Sequence, residues 1–586
     1  MPPTEARLVG FWPVLLVVVA ALAPEVLMAT WSGRRRGVAA LVVIALALCL
    51  SLGGCHADEN DPKGQSEELA DPVRREHAIT RLAAIHSQRL VEAKGDRSAA
   101  SLKEFNDLTH ANLVKVFLDN PQDSQNGLKI LQLMAEMRDP RTIDALLKAL
   151  EWQAEISEDH AVTAARTLTE IDVPADKKGT VVEKIAAALQ RVEGNRGADN
   201  RMRKSFIEVL GKLKDKRTTP ILTEVALRQS ESQNFLFNIL ATNQLELTAD
   251  PEAVPAMVKG LYMFDPANPQ MRMNEAAEST LVAIGRPALQ PLLDTLAGKN
   301  EEVNKLVELS IESFRRKDAQ IAASMNKSNL VAHEAISALG RIGLCDALDP
   351  LLKETEHSNA DRRANAALAL VKLSCPDSDT PKIVEALKKV YEASDKQVRP
   401  QLLVAMRHLY TEEVKPLLLT VATTTEEEFP PAQMYGFVSY ALLADKAEAQ
   451  KIKPVLEKEE AIKAQIAPFA VVIKAAEECD KSVDCWVGKL TDKDKYVLQK
   501  AASMLALLGN GDEKAITGLV NLLGHDDLEV RNESLSAIDN LAVKGSKLAV
   551  DKISALEGKE EGTSIWTNFK REALPTRSRL MLRAGS

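Results

Sequence analysis

The chain has 586 residues, of which 45% are hydrophobic but only 4% aromatic, and its formal net charge is −9. Residues 1–54 contain four arginines and two glutamates, so the rest of the chain carries −11, the total of −9 less +2. A body this acidic argues against nucleic-acid binding, which needs a concentrated basic face, and the abundant small apolar residues favour closely packed helices.

Residues 1–54 have the features of an export signal rather than of a folded domain. Three arginines, Arg34–Arg36, precede the apolar run GVAALVVIALALCLSL, which leads to Leu52-Gly53-Gly54-Cys55. This arrangement resembles the signal of bacterial lipoproteins. The resemblance implies that the thiol of Cys55 accepts a diacylglycerol and that the mature chain begins there. A plain membrane anchor with an incidental cysteine is the alternative.

An earlier apolar run, Phe11–Leu27, lies before the arginines. Translation from Met28 would leave an ordinary basic start to the signal, and a true second membrane segment is the alternative.

Residues 55–72 are polar and lack apolar periodicity, so we expect a flexible tether reaching roughly 55 Å. In enterobacterial lipoproteins, an aspartate directly after the lipidated cysteine looks like a signal for retention in the inner membrane. This chain has His56 at that position, which favours the outer membrane.

From residue 73 to residue 557 the chain repeats one unit, which is clearest between Glu334 and Tyr391. In each copy four apolar residues recur at i, i+3, i+4 and i+7, the spacing of one helix face. They are Ala335, Ala338, Leu339 and Ile342 and, 31 residues later, Ala366, Ala369, Leu370 and Leu373. A polar turn and a proline follow, and proline suits the first turn of a second helix. The pattern predicts an all-α fold, an α-solenoid of stacked antiparallel helix pairs.

Further copies pair a stripe residue with a residue of the second helix 10 to 15 positions later, which is a proline in all but two copies. Including the two copies above, these pairs are Ala135 with Ala145, Leu210 with Pro220, Leu240 with Pro255, Leu281 with Pro291, Leu339 with Pro350, Leu370 with Pro381, Met406 with Pro416, Leu442 with Pro454, and Leu507 with Gly518. An arginine recurs seven positions before the stripe residue in four copies, at Arg203, Arg363, Arg399 and Arg531.

The pattern resembles HEAT repeats, in particular the bacterial type also found in phycobilin lyases, and residues 515–542 match best. The resemblance implies that the four arginines form a structural ladder by bonding loop acids between repeats, with ligand binding as the alternative. Residues 299–329 fit the repeat poorly, so we expect an insertion on one face or a degenerate copy. Residues 558–586 are basic and partly apolar, which indicates a C-terminal cap or tail.

Four cysteines follow Cys55 in the chain: Cys345, Cys375, Cys479 and Cys485. An even number in an exported chain favours disulfides. Cys345 and Cys375 fall in equivalent turns of adjacent repeats, which stacking brings together, and Cys479 and Cys485 flank a single turn. We therefore predict the bonds Cys345–Cys375 and Cys479–Cys485, with buried free thiols as the alternative.

The sequence has no motif typical of a metal site, haem attachment or a phosphate-binding loop. We predict no cofactor and no metal, and a lipid-anchored envelope scaffold that binds an unidentified protein or peptide along its repeat groove. Charged residues on the middle second helices are the candidate partner contacts: Lys353, Glu354, Lys388, Lys389 and Lys415. An accessory or catalytic subunit acting on an envelope cofactor or polymer is the alternative, so enzymatic activity stays open.

Overall fold

A computed structural model describes residues 58–121, 123–151, 158–229, 233–425, 429–509 and 511–585. All regular elements in these ranges are helices, as the repeat pattern predicts. The signal region and Cys55 lie outside the described residues. Within the described part of the chain, no helix is both long enough and apolar enough to cross a membrane.

The described residues divide into two compact units, with the boundary between Ala145 and Leu146. The first unit contains α1 (Pro62–Glu68), α2 (Arg75–Glu92), α3 (Ala100–Asp119) and α4 (Ser124–Met137). Its core includes Leu82, Phe105 and Leu113, which are fully buried. The first unit therefore has an apolar core of its own.

Part of the predicted tether is helical, because α1 lies within residues 55–72. Asp61 accepts two backbone N–H groups of the first turn, and Pro62 occupies the first helical position. The hydroxyl of buried Ser66 donates to the carbonyl of Leu108 in α3 at 3.2 Å. The structure thus differs from the fully flexible segment we expected, and the Asp-Pro pair is the local reason.

The second unit begins at Leu146, within α5 (Ile143–Ala149). Its earlier helices are α6 (Glu158–Glu170), α7 (Ala175–Gln190), α8 (Gly197–Leu213), α9 (Thr219–Leu227), α10 (Leu236–Thr248), α11 (Val254–Gly260), α12 (Asn274–Ile284), α13 (Leu289–Leu296), α14 (Glu301–Lys317) and α15 (Ala319–Ser324). Its middle helices are α16 (Lys327–Ile342), α17 (Leu348–Glu354), α18 (Ala360–Leu370), α19 (Thr380–Glu392), α20 (Arg399–Arg407), α21 (Lys415–Thr423), α22 (Pro430–Leu443) and α23 (Lys446–Lys458). Its last helices are α24 (Lys463–Ile466), α25 (Ala470–Cys479), α26 (Val483–Lys489), α27 (Lys495–Leu508), α28 (Glu513–Leu522), α29 (Leu528–Leu541), α30 (Lys547–Glu560) and α31 (Ser564–Gly585).

These helices form pairs in which a tight turn joins a first helix to a second helix. At the α8–α9 and α10–α11 turns, the first helix ends on a residue with positive φ, Lys214 or Ala249. An aspartate follows, Asp215 or Asp250, and accepts the N–H two residues later. Aspartate suits this position because its short carboxylate satisfies an N–H group that has no helical partner.

Neighbouring pairs stack in two layers. The first helices that contact one another in succession are α8, α10, α12, α16, α18, α20, α22, α27 and α29, and the second helices form the other layer. The stripe residues Ala335, Ala338 and Leu339 of α16 are at most 1% exposed. Backbones approach closely at Gly340, where a Cβ would lie 2.7 Å from Ala369. The stacked antiparallel pairs form the predicted α-solenoid.

Two segments depart from the simple pair. Pro454 lies inside α23, which begins after Asp445 with a capping box between Asp445 and Glu448. The prediction that a helix starts at Pro454 is therefore wrong, because the capping signal sets an earlier start. The poorly matching residues 299–329 contain α14 and the short α15, and α14 contacts α11 and α16.

The four cysteines lie in two pairs at bonding distance. Cys345 and Cys375, with Cα atoms 4.8 Å apart, join the turns that follow α16 and α18. Cys479 and Cys485, with Cα atoms 5.3 Å apart, flank the turn between α25 and α26. The first pair therefore links equivalent turns of adjacent repeats, as stacking predicts.

Replacing both Cys345 and Cys375 with serine is expected to lower the free energy of unfolding by about 3.7 kcal/mol, since the bond closes a long loop. The sequence separations are 30 for this pair and 6 for Cys479–Cys485. The matched double variant at Cys479 and Cys485 should therefore lose less, about 2.3 kcal/mol. Urea denaturation followed by circular dichroism measures both losses, and equal losses would contradict the loop-length explanation.

Candidate functional site

Two of the five residues predicted to contact a partner are buried. Glu354 is 9% exposed and accepts a hydrogen bond from Arg362 at 2.9 Å. Lys415 is 3% exposed and pairs with Glu412 and Glu448 at 2.8 and 2.9 Å. Their assignment to a partner surface is wrong, because these side chains bond neighbouring elements of the array. The other three lie on second helices, exposed or half-buried: Lys353, Lys388 and Lys389.

The four recurring arginines share one kind of contact. Each donates to backbone carbonyls of the turn before its own helix, as Arg203 does to Val192 and Gly194 at 2.9 and 3.0 Å. The others are Arg363 to His357 and Ser358, Arg399 to Ser394, and Arg531 to His525. Arg531 in addition pairs with Glu560 at 2.6 Å. The shared acceptors are thus carbonyls rather than the loop acids that the resemblance implied.

The C-terminal helix α31 contacts two distant parts of the second unit. The helix packs on α29 and α30, and Trp566 and Phe569 in its first half are buried. The same helix contacts α12 and α16, at a separation of 230 residues between Arg571 and Arg341. Residues 558–586 therefore do more than cover the last pair, because α31 joins the end of the array to its middle.

Arg341, near the C-terminal end of α16, makes the central contact with α31. Its Nε pairs with Glu278 of α12 at 2.9 Å, and its Nη1 donates to the carbonyl oxygen of Arg571 at 2.7 Å. Pro575, four residues after Arg571, has no N–H group to donate to that carbonyl within the helix. Arg341 therefore supplies the hydrogen bond that the proline removes.

Residues 575–585, which we call the terminal segment, contact the array through three arginines. Arg577 pairs with Glu246 at 3.4 Å and with Glu557 at 2.5 Å. Arg579 pairs with Asp539 at 2.5 Å and donates to the carbonyl of Arg341 at 2.7 Å. Arg583 pairs with Asp539 at 3.0 Å and donates to the hydroxyl of Ser374 at 2.7 Å. We call these acceptors the closure site: Glu246, Asp539, Glu557, the Arg341 carbonyl and the Ser374 hydroxyl. Asp539 and Glu557 belong to the last helix pair, whereas Glu246, Arg341 and Ser374 come from three earlier ones, so only the folded array assembles the site.

The turn after α16 leaves space for the terminal segment. Gly343 has a φ of +75°, which favours glycine. A Cβ at this position would lie 2.9 Å from Cδ of Arg579 and 3.0 Å from the carbonyl oxygen of Lys372. A larger residue would therefore displace the arginine that contacts Asp539.

The carboxylates of the closure site differ in their response to burial. Burial raises the pKa of Glu246, although Arg577 opposes it. Burial also opposes the ionisation of Asp539, but Arg579 and Arg583 outweigh it and hold the pKa of Asp539 below its ordinary value. Asp539 is therefore the carboxylate that depends most on the arginines of the terminal segment.

A second contact joins α20 to α29. Glu533 accepts hydrogen bonds from Arg407 at 2.6 Å, from Ser503 at 2.6 Å and from the hydroxyl of Tyr410 at 3.2 Å. Burial opposes the ionisation of Glu533, but Arg407 and His408 outweigh it and hold its pKa at about 2. This buried carboxylate thus stays ionised at neutral pH and bonds repeats that are distant in sequence.

The closure site is suited to binding positive charge carried by a helix. Buried carboxylates attract guanidinium groups, and the carbonyl and hydroxyl groups accept their remaining N–H donors. Across the described ranges, no group of three or more His, Cys, Asp or Glu side chains is placed to hold a metal ion.

Sequence reasoning missed the closure site because most of its members are separated by long stretches of chain. The available signal was the acid-free, arginine-rich terminal segment of an acidic chain.

No family model and no curated protein matches the chain. Solved structures that resemble it include Kap121p bound to Nup53p, with 14% identity and a TM-score of 0.44 over 94% of this chain. A structure of Kap95p with RanGDP has 12% identity and a TM-score of 0.37 over 91% of this chain, and importin beta has 15% and 0.28 over 87%. The chain spans 58% of the Kap121p chain, 81% of the Kap95p chain and 80% of the importin beta chain. The assignment of the fold rests on the helix pairs described above.

The change Arg341→Ala is expected to lower the free energy of unfolding by about 3–5 kcal/mol, because it leaves buried Glu278 without its cation. It also leaves the carbonyl of Arg571 without a donor. Arg286→Ala is the matched control: Arg286 bonds Asp346 twice at 3.0 Å, but its side chain is 66% exposed. Exposed pairs contribute little, so the control should change stability little. Urea denaturation measures both, and similar losses would contradict the central role of Arg341.

Stability at acid pH is expected to depend on Glu533. Its folded pKa of about 2 lies below the ordinary value of 4.5, so its contribution is complete above 4.5 and is lost as pH falls toward 2. The stability difference between wild type and Glu533→Gln should shrink by about 2 kcal/mol between pH 5 and pH 3. Urea denaturation at both pH values measures it, with exposed Glu275→Gln as control. A difference that stays constant with pH would contradict this assignment.

Proposed function

We propose that the chain is a lipid-anchored scaffold of the bacterial cell envelope that binds a protein or peptide segment on its helix array. The observation that carries the binding function is α31, because the array already holds a helix through side chains of several repeats. Stacked helix pairs also present long continuous surfaces, which suit extended partners. The partner is a protein or peptide rather than a nucleic acid, since the chain is acidic.

The proposed location rests on the sequence. The lipoprotein-like signal assigns the lipid to Cys55, and His56 favours the outer membrane over the inner membrane. The pairing of all four cysteines of the described array supports an oxidising compartment, where disulfides form and persist. The lipid would therefore hold the array at a membrane surface outside the cytoplasm.

Two surfaces are candidates for the partner. The second-helix layer carries Lys353, Lys388 and Lys389, which are accessible to a charged partner. The other candidate is the closure site, which the terminal segment occupies. No specific observation among the described residues favours the catalytic alternative, so we propose the scaffold alone.

The anchor is tested by metabolic labelling of cells with palmitate. The wild-type chain should incorporate the label and fractionate with outer membranes, because the thiol of Cys55 carries the lipid. The Cys55→Ser chain should incorporate none. Persistent labelling of that variant would contradict the lipid assignment, and release of the labelled wild-type chain from all membrane fractions would contradict the anchor.

The scaffold is tested by crosslinking the tagged full chain in intact cells and identifying the enriched proteins by mass spectrometry. We expect the same protein to be enriched by the wild type in replicate membranes. A variant with glutamate at Lys353, Lys388 and Lys389 decides between the two surfaces, because a partner on the second-helix layer would be lost. Failure of the wild type to enrich any protein over an unrelated lipoprotein of similar size would contradict the scaffold function.

A further inference from the structure

The two halves of α31 are held by different interactions. In the first half, Trp566 and Phe569 are 3% and 0% exposed. In the terminal segment Leu580 is buried, but Met581 and Leu582 are 55% and 43% exposed. Aromatic burial therefore anchors the first half, whereas the terminal segment is held by buried Leu580 together with the ion pairs of its three arginines.

Pro575 places a natural division between these halves. It removes one hydrogen bond from the helix, and the carbonyl of Arg571 that loses it bonds Arg341 instead. The terminal segment starts at this proline. Its release would break contacts with the array while leaving the aromatic anchor of the first half in place.

The closure site requires positive charge. The terminal segment contains three arginines and no acidic residue. The side chains of Glu246 and Asp539 opposite them are only 12% and 19% exposed. Removing the cation from a buried carboxylate is strongly unfavourable, so water alone does not compensate these carboxylates when the terminal segment leaves. A ligand that replaces it has to bring its own cations.

The remaining acceptors define the ligand further. The carbonyl of Arg341 and the hydroxyl of Ser374 receive guanidinium N–H groups from Arg579 and Arg583. These arginines lie four positions apart, on one face of a helix. A basic helix with this spacing reproduces the same contacts. The net charge of −11 beyond residue 54 also favours the approach of a basic segment.

We infer that the closure site is a receptor for a basic helical segment of the protein partner, and that the terminal segment occupies it until the partner's segment replaces it. This inference rests on the proposed scaffold function and names the chemistry of its partner. The terminal segment acts as an intramolecular competitor, so a partner binds only when its segment outcompetes residues that are already in place. Binding would then open the contact between the end of the array and its middle.

A fluorescein-labelled peptide with the sequence of residues 574–585 is the probe, and fluorescence anisotropy measures its binding to the full chain. In the wild type the peptide competes with the terminal segment. Arg579→Glu in the chain weakens that segment at Asp539, so we expect the peptide to bind at least about tenfold more tightly. Lys570→Glu is the matched control, because Lys570 is exposed on the first half of the same helix. The control chain should bind the peptide as the wild type does.

A second peptide, with its three arginines replaced by glutamine, tests the requirement for charge and should not bind the Arg579→Glu chain. Equal binding of both peptides would overturn the charge recognition. If the Arg579→Glu chain melts like the wild type but gains no affinity for the first peptide, α31 is a fixed part of the array and the inference is overturned.

Hydrogen exchange of the wild-type chain decides the matter if Arg579→Glu prevents folding. Amides of the terminal segment should exchange faster than those of α29, and the unaltered peptide should accelerate them further. Exchange as slow as that of α29, with and without peptide, would overturn the inference. These results are distinct from a failure of the scaffold function. If a partner is captured but the peptide does not displace the terminal segment, the partner binds elsewhere on the array. If the peptide displaces the terminal segment but no partner is captured, the receptor is retained and the scaffold function is contradicted.

Discussion

The guanidinium group of Arg341 makes the central contact between the end of the array and its middle. Arg341 of α16 is the hydrogen-bond donor for two groups. The carboxylate of Glu278 in α12 has little access to water, and the carbonyl of Arg571 in α31 has no helical donor because of Pro575. Because both groups are costly when unpaired, the position of α31 depends on this contact. Arg341 thus holds α31 at the point where the terminal segment begins.

This contact changes what kind of solenoid the second unit is. In an open array each repeat contacts only its neighbours, and stability is a sum of local interfaces. Here α31 adds contacts to α12 and α16, and Glu533 adds contacts between α29 and α20. These contacts join repeats that are far apart in sequence, so parts of the array are expected to unfold together. They also place a helix of the chain itself on a surface that an open solenoid would leave accessible.

The sequence predicted those features that depend on residues close together in the chain or in adjacent repeats. The apolar stripes and turn prolines predicted the helix pairs, and the equivalent turns predicted the pairing of Cys345 with Cys375. Charge alone was misleading for Glu354 and Lys415, because it does not report which helix face is buried. Pro454 was misleading because a capping box set the helix start earlier. The closure site could not be predicted, since its residues approach one another only after the array has closed.

The most direct test of the closed array is a distance measurement between its end and its middle. Spin labels at Met581, which is 55% exposed, and at Arg286, which is 66% exposed in its side chain, report on α31 and on the turn after α12. Gly285 lies next to Leu582, with a Cβ at that glycine 2.7 Å from the leucine side chain. Double electron–electron resonance should therefore give one short, narrow distance distribution for the full chain without a partner. A broad distribution centred at long distances would contradict the closed array and the occupied closure site.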